Sequence, residues 1–380
     1  MEPEVEFISI PKPSRVAIIG AGMVGSTYAY TLLLQGIADE ICLLDKRQSR
    51  AEGEALDLNH SVPLTRRAEI WAGTMEDVKD ADIIMIAAGA SQKPGQTRLD
   101  LLKENARIVG DIAEEAGSLA PDAVFLVTTN PVDVMTYVTM ARSGVHHSHV
   151  IGSGTALDTA RLRYMISRRL GIDPRSVHAY VVGEHGDSEV VAWSRASVAG
   201  TGIDEWPELC EETRSRISDD VKMAAYDVIE KKGATYYAIA TALSRITEAI
   251  LKDTRTVFSV SSYLQGEYGV EDVYMGVPSI VGREGVLRTI EVPLSESELR
   301  RLRQSAHVLR KAVDAIDIES MRQLSRGRAL AGALSGSKSE ASNEFITGRD
   351  LLPHIAKPVD KGTIRAIRPR RQMKKPRPLL

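Results

Sequence analysis

Cysteine is scarce in this chain. Of 380 residues only Cys42 and Cys210 are cysteines, and neither lies at a metal-type spacing. That excludes a disulfide framework and a cysteine-built zinc site, and it suits a reducing compartment. The histidines His146, His147 and His149 have no acid or cysteine spaced to complete a ligand set, so no metal is expected. Long apolar runs are lacking too. The longest near the front, residues 83–90, is far short of the ~20 residues that a membrane span requires. The opening Met1-Glu2-Pro3-Glu4 is acidic and is not followed by the apolar core of a secretory leader. The expectation is a cytoplasmic protein with no membrane partner.

What is present has the balance of a soluble globular chain: 43% hydrophobic and 26% charged residues, in a length that accommodates two domains. The net charge of −3 conceals an asymmetry. Residues 318–380 carry 14 Lys+Arg against 5 Asp+Glu, a balance of +9, which leaves −12 on the remaining 317 residues. Nucleic acid or any other anionic macromolecule would therefore have to meet this basic tail. Rich in Ser, Gly, Pro, Arg and Lys, the tail reads as a disordered appendage, and a solvated tail without a role is the simpler view of it.

The apolar run Arg15-Val16-Ala17-Ile18-Ile19 reads as a buried parallel strand and leads directly into Gly20-Ala21-Gly22-Met23-Val24-Gly25, followed by a helical pattern. A G-x-G-x-x-G between strand and helix is the context in which a dinucleotide pyrophosphate meets a helix N-terminus. Gly20 permits the tight turn, Gly22 the close approach of phosphate to backbone, and Gly25 the packing of helix on strand. Asp45, 20 residues beyond Gly25 and at the end of the next apolar run, supplies the carboxylate that bonds the ribose hydroxyls of NAD. It also repels the extra phosphate of NADP, although Lys46 and Arg47 follow it. Together these features predict an α/β fold: a Rossmann doubly wound parallel sheet followed by an α+β catalytic domain.

Further strands are read at residues 81–88 and 123–128. Between the first of these and the next helix lies a polar stretch, Gly89 to Arg98, which suits either a movable lid or a plain solvated connection. After the second, Pro131 is expected to start a helix, leaving Asn130 at the carboxyl edge of the sheet, where ligands bind in doubly wound folds. The helix over residues 156–170 puts Asp158 and Arg161 on one face, an arrangement that also describes an ordinary intrahelical ion pair. Arg163 lies about 200° round the helix from Arg161 and must face something else. Beyond it, Val181-Val182-Gly183-Glu184-His185-Gly186-Asp187 sets one imidazole on a turn after an apolar run. Alone, His185 reads more readily as a surface histidine than as an acid–base group. Helices at 208–232 and 234–252 follow, then short strands around 257–264, 273–281 and 286–292. A last helix opens with the capping box Ser295-Glu296-Ser297-Glu298 and carries an apolar stripe from Leu299 to Ile316.

Taken together, Gly20 to Gly25, Asp45, the stretch ending at Arg98, Thr129-Asn130-Pro131, Gly154 to Arg161, Gly183 to Asp187 and Lys231 to Tyr237 resemble the L-lactate dehydrogenases in order and spacing, over about residues 14–317. The resemblance implies that His185 is the proton donor and acceptor, Asp158 its orienting partner, Arg161 the anchor of the substrate carboxylate, and Arg98 the group that polarises the carbonyl as a lid closes. Asn130 would bond either the histidine or the carboxamide side of the site, while Met23 and Val24 join the glycines around NAD. Gln92 stands where the sister malate dehydrogenases carry arginine, so Gln92 with Thr235 suits the methyl group of pyruvate rather than the second carboxylate of oxaloacetate. Gln96 departs from the acid that most relatives place there. Arg163 and His178 match positions that bind fructose 1,6-bisphosphate in activated bacterial enzymes; the bland view is two surface cations. A homotetramer is a further implication. The expected boundaries are a lead-in at 1–13, an NAD-binding domain at 14–155, a catalytic domain at 156–317 and the tail at 318–380. The competing readings are a malate or larger 2-hydroxy acid dehydrogenase and, from another class, an NAD-sensing binding protein that has lost the chemistry. The latter has no use for His185, Asp158, Arg161 and Arg98 together.

Overall fold

A computed structural model describes residues 12–90 and 95–316. The strand that leads into the glycine loop, β1 (Arg15–Ile19), lies centrally, with β2 (Glu40–Leu44), β3 (Glu69–Ala72), β4 (Ile83–Ile86), β5 (Val124–Val127) and β6 (Val150–Gly152) around it in the order β3-β2-β1-β4-β5-β6. All these pairings are parallel. Parallel strands covered on both faces read as unbroken apolar runs, and β1 illustrates why. Val16 and Ile18 enter one apolar layer, under α1 (Met23–Gln35) and α2 (Gln48–Ser61), whereas Ala17 and Ile19 enter the other, under α3 (Arg98–Leu119) and α4 (Val132–Ser143).

The second half does not build a separate large sheet. After α5 (Ala156–Leu170) come the short strands β7 (Val177–His178), β8 (Val181–Val182), β9 (Val190–Val191), β10 (Ser197–Val198) and β11 (Thr201–Gly202). Next are the helices α6 (Glu211–Lys232) and α7 (Tyr237–Leu251), each starting three residues later than the periodicity suggested. The antiparallel meander β12 (Thr256–Gln265), β13 (Glu271–Gly282) and β14 (Gly285–Thr289) then extends the first sheet, through Ser261 of β12 opposite Gly152 of β6, to nine strands. The final helix α8 (Glu296–Asp314) carries the expected capping box at Ser295 and Glu298, and its stripe Leu302, Ala306, Leu309 and Val313 is buried.

Several elements escaped the sequence reading, β3, β6 and α2 among them. β3 lies at the sheet edge and buries only Ile70, so no apolar run announces it. α2 buries only Ala51, Ala55 and Leu58, a stripe one residue wide, and leaves Leu56 exposed. Pro131 also sits one position earlier than expected, at the N-cap of α4 rather than inside it. The basic tail and the lead-in up to residue 11 lie outside the described residues.

Candidate active site

The glycine loop is tight for steric reasons. Gly20 has φ +111°, and a Cβ there would lie 2.6 Å from the backbone nitrogen of Ala88; a Cβ on Gly25 would lie 2.0 Å from the carbonyl oxygen of Gly20. Gly22 differs, because a Cβ there would meet nothing within 4 Å. It is the N-cap of α1 and offers no side-chain cap, which leaves the first-turn N–H groups of Met23 and Val24 open to an anion. Asp45 closes the other side: its carboxylate accepts the Ala21 N–H at 3.1 Å and the Arg47 N–H at 2.9 Å. An uncrowded glycine, a free helix N-terminus and a carboxylate beside them fit an adenine dinucleotide.

His185 lies on the turn between β8 and β9. Gly183, at φ +100°, pairs with Gly276 of β13 through two reciprocal backbone hydrogen bonds of 2.8 Å, and the Glu184 N–H bonds Ser305 Oγ of α8 at 2.8 Å, so both the sheet and the last helix hold the turn. Behind the ring, Asp158 is 2% exposed and carries two bonds: Oδ2 lies 2.6 Å from His185 Nδ1, and Oδ1 accepts from Arg161 at 2.8 Å. The intrahelical pair anticipated as the commonplace view of Asp158 and Arg161 therefore exists, and the same carboxylate also grips the histidine. With Nδ1 engaged, Nε2 is the nitrogen that can exchange a proton with a substrate. One N–H of Arg161 goes to Asp158, and the rest of its fork meets no acceptor among the described residues.

Burial alone would weaken the imidazolium, but Asp158, with a smaller pull from Asp133 and against repulsion from Arg161, raises the His185 pKa to about 9. Asp133, on α4, was not singled out in the sequence. Its carboxylate accepts the His185 backbone N–H at 2.8 Å and the Ser261 hydroxyl at 2.7 Å, while its burial lifts its own pKa to about 6. An acid in the first turn of a helix reads as ordinary dipole compensation, which hid this role.

The other described candidates lie on separate elements of the fold. Arg98 is the first residue of α3, exposed, after a capping box between Thr97 and Asp100. Its charge is felt at Tyr226, whose hydroxyl bonds Asp187 of the histidine turn at 3.2 Å. Gln92 lies outside the described residues, and Gln96 donates to Glu104 at 2.7 Å. Asn130 is exposed; its carbonyl accepts from Asn105 Nδ2 at 3.1 Å, while Asn105 Oδ1 takes the Ala90 N–H at 2.7 Å. Asn105, another residue not singled out, thus ties the start of the polar stretch to the sheet edge. Thr235 is half-buried just ahead of α7. Arg163 points away from Asp158, as its helical phase requires: Nε donates to the Ala179 carbonyl at 3.1 Å and the guanidinium lies 5.3 Å from the Tyr180 ring centre. His178 is exposed on β7. Among the described residues no group of His, Cys, Asp and Glu could hold a metal, and no helix is long and apolar enough to cross a membrane.

The family model described as lactate/malate dehydrogenase, NAD binding domain, matches residues 14–152, and that described as lactate/malate dehydrogenase, alpha/beta C-terminal domain, matches residues 155–319. The chain is similar to an L-lactate dehydrogenase of Thermoanaerobacter sp. (strain X514), 48% identical over 310 residues that cover 80% of this chain and 100% of the relative. L-lactate dehydrogenase 1 of Clostridium acetobutylicum is likewise 48% identical over 310 residues, 80% of this chain and 99% of its own. Among solved structures, the ligands-bound form of the minor L-lactate dehydrogenase from Enterococcus mundtii superposes with a TM-score of 0.79 at 45% identity, covering 80% of this chain and 98% of that one.

Proposed function

The chain belongs to the lactate/malate dehydrogenase family, and from that premise we propose that it is an NAD-dependent L-lactate dehydrogenase, reducing pyruvate to (S)-lactate reversibly. The observation that carries this reading is the shared carboxylate of Asp158, 2.6 Å from His185 Nδ1 and 2.8 Å from Arg161, which sets a proton donor and a carboxylate anchor side by side. NADH supplies the hydride. Arg161 binds the keto acid's carboxylate through the free edge of its guanidinium, a planar two-bond fit that lysine cannot make. The His185 imidazolium gives its Nε2 proton to the carbonyl oxygen as the carbonyl carbon is reduced, and it takes the proton back when lactate is oxidised. Asp158 stabilises the charged ring and fixes its tautomer, while Asp133 anchors the backbone that carries it. Arg98, arriving with the polar stretch, polarises the carbonyl; a cation that acts only on closure favours the transition state over the ground state.

Gln92 and Thr235 set the preference for a methyl group. A neutral amide leaves the second carboxylate of oxaloacetate desolvated and unpaired, at a cost of several kcal/mol. Asn130 serves the substrate or the nicotinamide side, and Gly20, Gly22, Met23, Val24, Gly25 and Asp45 hold NAD. The reading extends to activation by fructose 1,6-bisphosphate through Arg163 and His178, to a homotetramer and to a cytoplasmic location, with the domains divided at residues 155 and 156. The test is NADH oxidation with pyruvate, oxaloacetate and a branched keto acid, each with and without fructose 1,6-bisphosphate. Pyruvate should have the highest kcat/KM, and the sugar phosphate should lower the pyruvate concentration at half-maximal rate. Faster turnover of oxaloacetate would overturn the substrate assignment, and an unchanged saturation curve would overturn the activation.

A further inference from the structure

Glu189 closes the His185 turn, immediately before β9, and is drawn inside: it is 5% exposed, and its backbone N–H bonds the Gly186 carbonyl at 3.1 Å. Its Oε1 is shielded from solvent and meets no hydrogen-bond donor among the described residues. The charged groups that face it come from each neighbouring element: Asp158 and Arg161 from α5, His185 from the turn itself and Lys222 from α6. Ionising a carboxyl with one oxygen held out of water and without a donor is disfavoured, so such a group holds its proton more tightly. Burial, and then the negative charge of Asp158, push the carboxyl of Glu189 well above the usual range, against the weaker pull of His185, Lys222 and Arg161. No step of the reaction given above uses this side chain.

We propose that Glu189 is a positioning residue for His185: its carboxyl holds a proton in the resting site, and releasing that proton adds a second negative charge beside Asp158, which tightens the site's hold on the imidazole proton. The inference rests on the dehydrogenase reading. Its consequence is directional. As the medium becomes alkaline, ionisation of Glu189 helps His185 to stay charged, so pyruvate reduction persists to a higher pH than Asp158 alone would sustain.

The experiment measures kcat/KM for pyruvate against pH in the wild type and in Glu189→Gln, whose neutral amide imitates the protonated acid. The alkaline limb of the variant should move down by about half to one pH unit, and the onset of lactate oxidation should move down with it. A merely structural role would lower Tm and kcat and leave both limbs in place. An unmoved limb in a folded variant overturns the proposal.

Lys222→Met is the second probe and carries the test alone if Glu189→Gln does not fold. Removing this cation helps Glu189 to keep its proton, so the limb should again move down. By its direct effect the same substitution would raise the proton affinity of His185, so a downward move has to pass through Glu189. An upward or absent move overturns the proposal. In the double variant, the limb should lie no lower than in Glu189→Gln. Pyruvate reduction by the wild type is the separate control: its absence would refute the dehydrogenase reading, whereas its presence with unmoved limbs would refute only the role of Glu189.

Discussion

Asp158→Asn removes the charge that both His185 and Arg161 share while keeping the shape of the side chain. The rise of the His185 pKa from its ordinary 6.5 to about 9 corresponds to about 3.4 kcal/mol of preference for the charged ring, at about 1.36 kcal/mol per pH unit. Burial opposes that preference, and so does Arg161, so the carboxylate supplies more than the net figure. With an amide in its place both opposing effects survive, and the pKa falls to the ordinary value or below. At about pH 7.5 the protonated fraction then drops from nearly complete to roughly a tenth or less. The amide also no longer fixes the tautomer that puts the exchangeable proton on Nε2, and losing such an orienting acid costs up to ~10⁴ in rate. The expected result is a fall in kcat/KM for pyruvate of roughly 10² to 10⁴ at neutral pH, with partial recovery as the pH is lowered. The assay is steady-state NADH oxidation between pH 5.5 and 9.5, with Tm as a control for folding. A variant that keeps more than about a third of wild-type kcat/KM at neutral pH, or that gains nothing on acidification, would refute the reasoning.

Two further outcomes follow from the site and its surroundings. Gln92→Arg should shift the kcat/KM ratio toward oxaloacetate by orders of magnitude, measured with the two keto acids side by side; a ratio that barely moves would show that Gln92 does not face the substrate's side chain. Deleting the residues after Asp317 should leave pyruvate reduction intact, because the buried stripe of α8 and the buried Ile316 just beyond it are all retained; a truncated chain without activity would show that the tail contributes to the folded body.

Local chemistry settled much of this protein in advance. A strand running into Gly20-Ala21-Gly22 and a helix can hardly do otherwise than present a helix N-terminus to an anion, and Asp45 follows at the length of one helix and one strand. The same holds for α5, whose phase puts Asp158 with Arg161 and turns Arg163 away, and for α8, announced by its own cap. In each case the interacting residues are neighbours along the chain, so spacing is already geometry.

Only the tertiary structure decided what Asp158 does with its second oxygen, because His185 is 27 residues away, and only it recruited Asp133, 52 residues before the histidine, and Ser261, 128 residues after Asp133. It decided as well that the meander β12 to β14 continues the first sheet, and that Glu189, like Asp133, Asp158 and Glu298, is shut away from water. The physical reason is common to all of these. The proton affinity of a carboxyl or an imidazole depends on how much water it keeps and which charges are packed against it, and both are set by segments that a sequence places far apart.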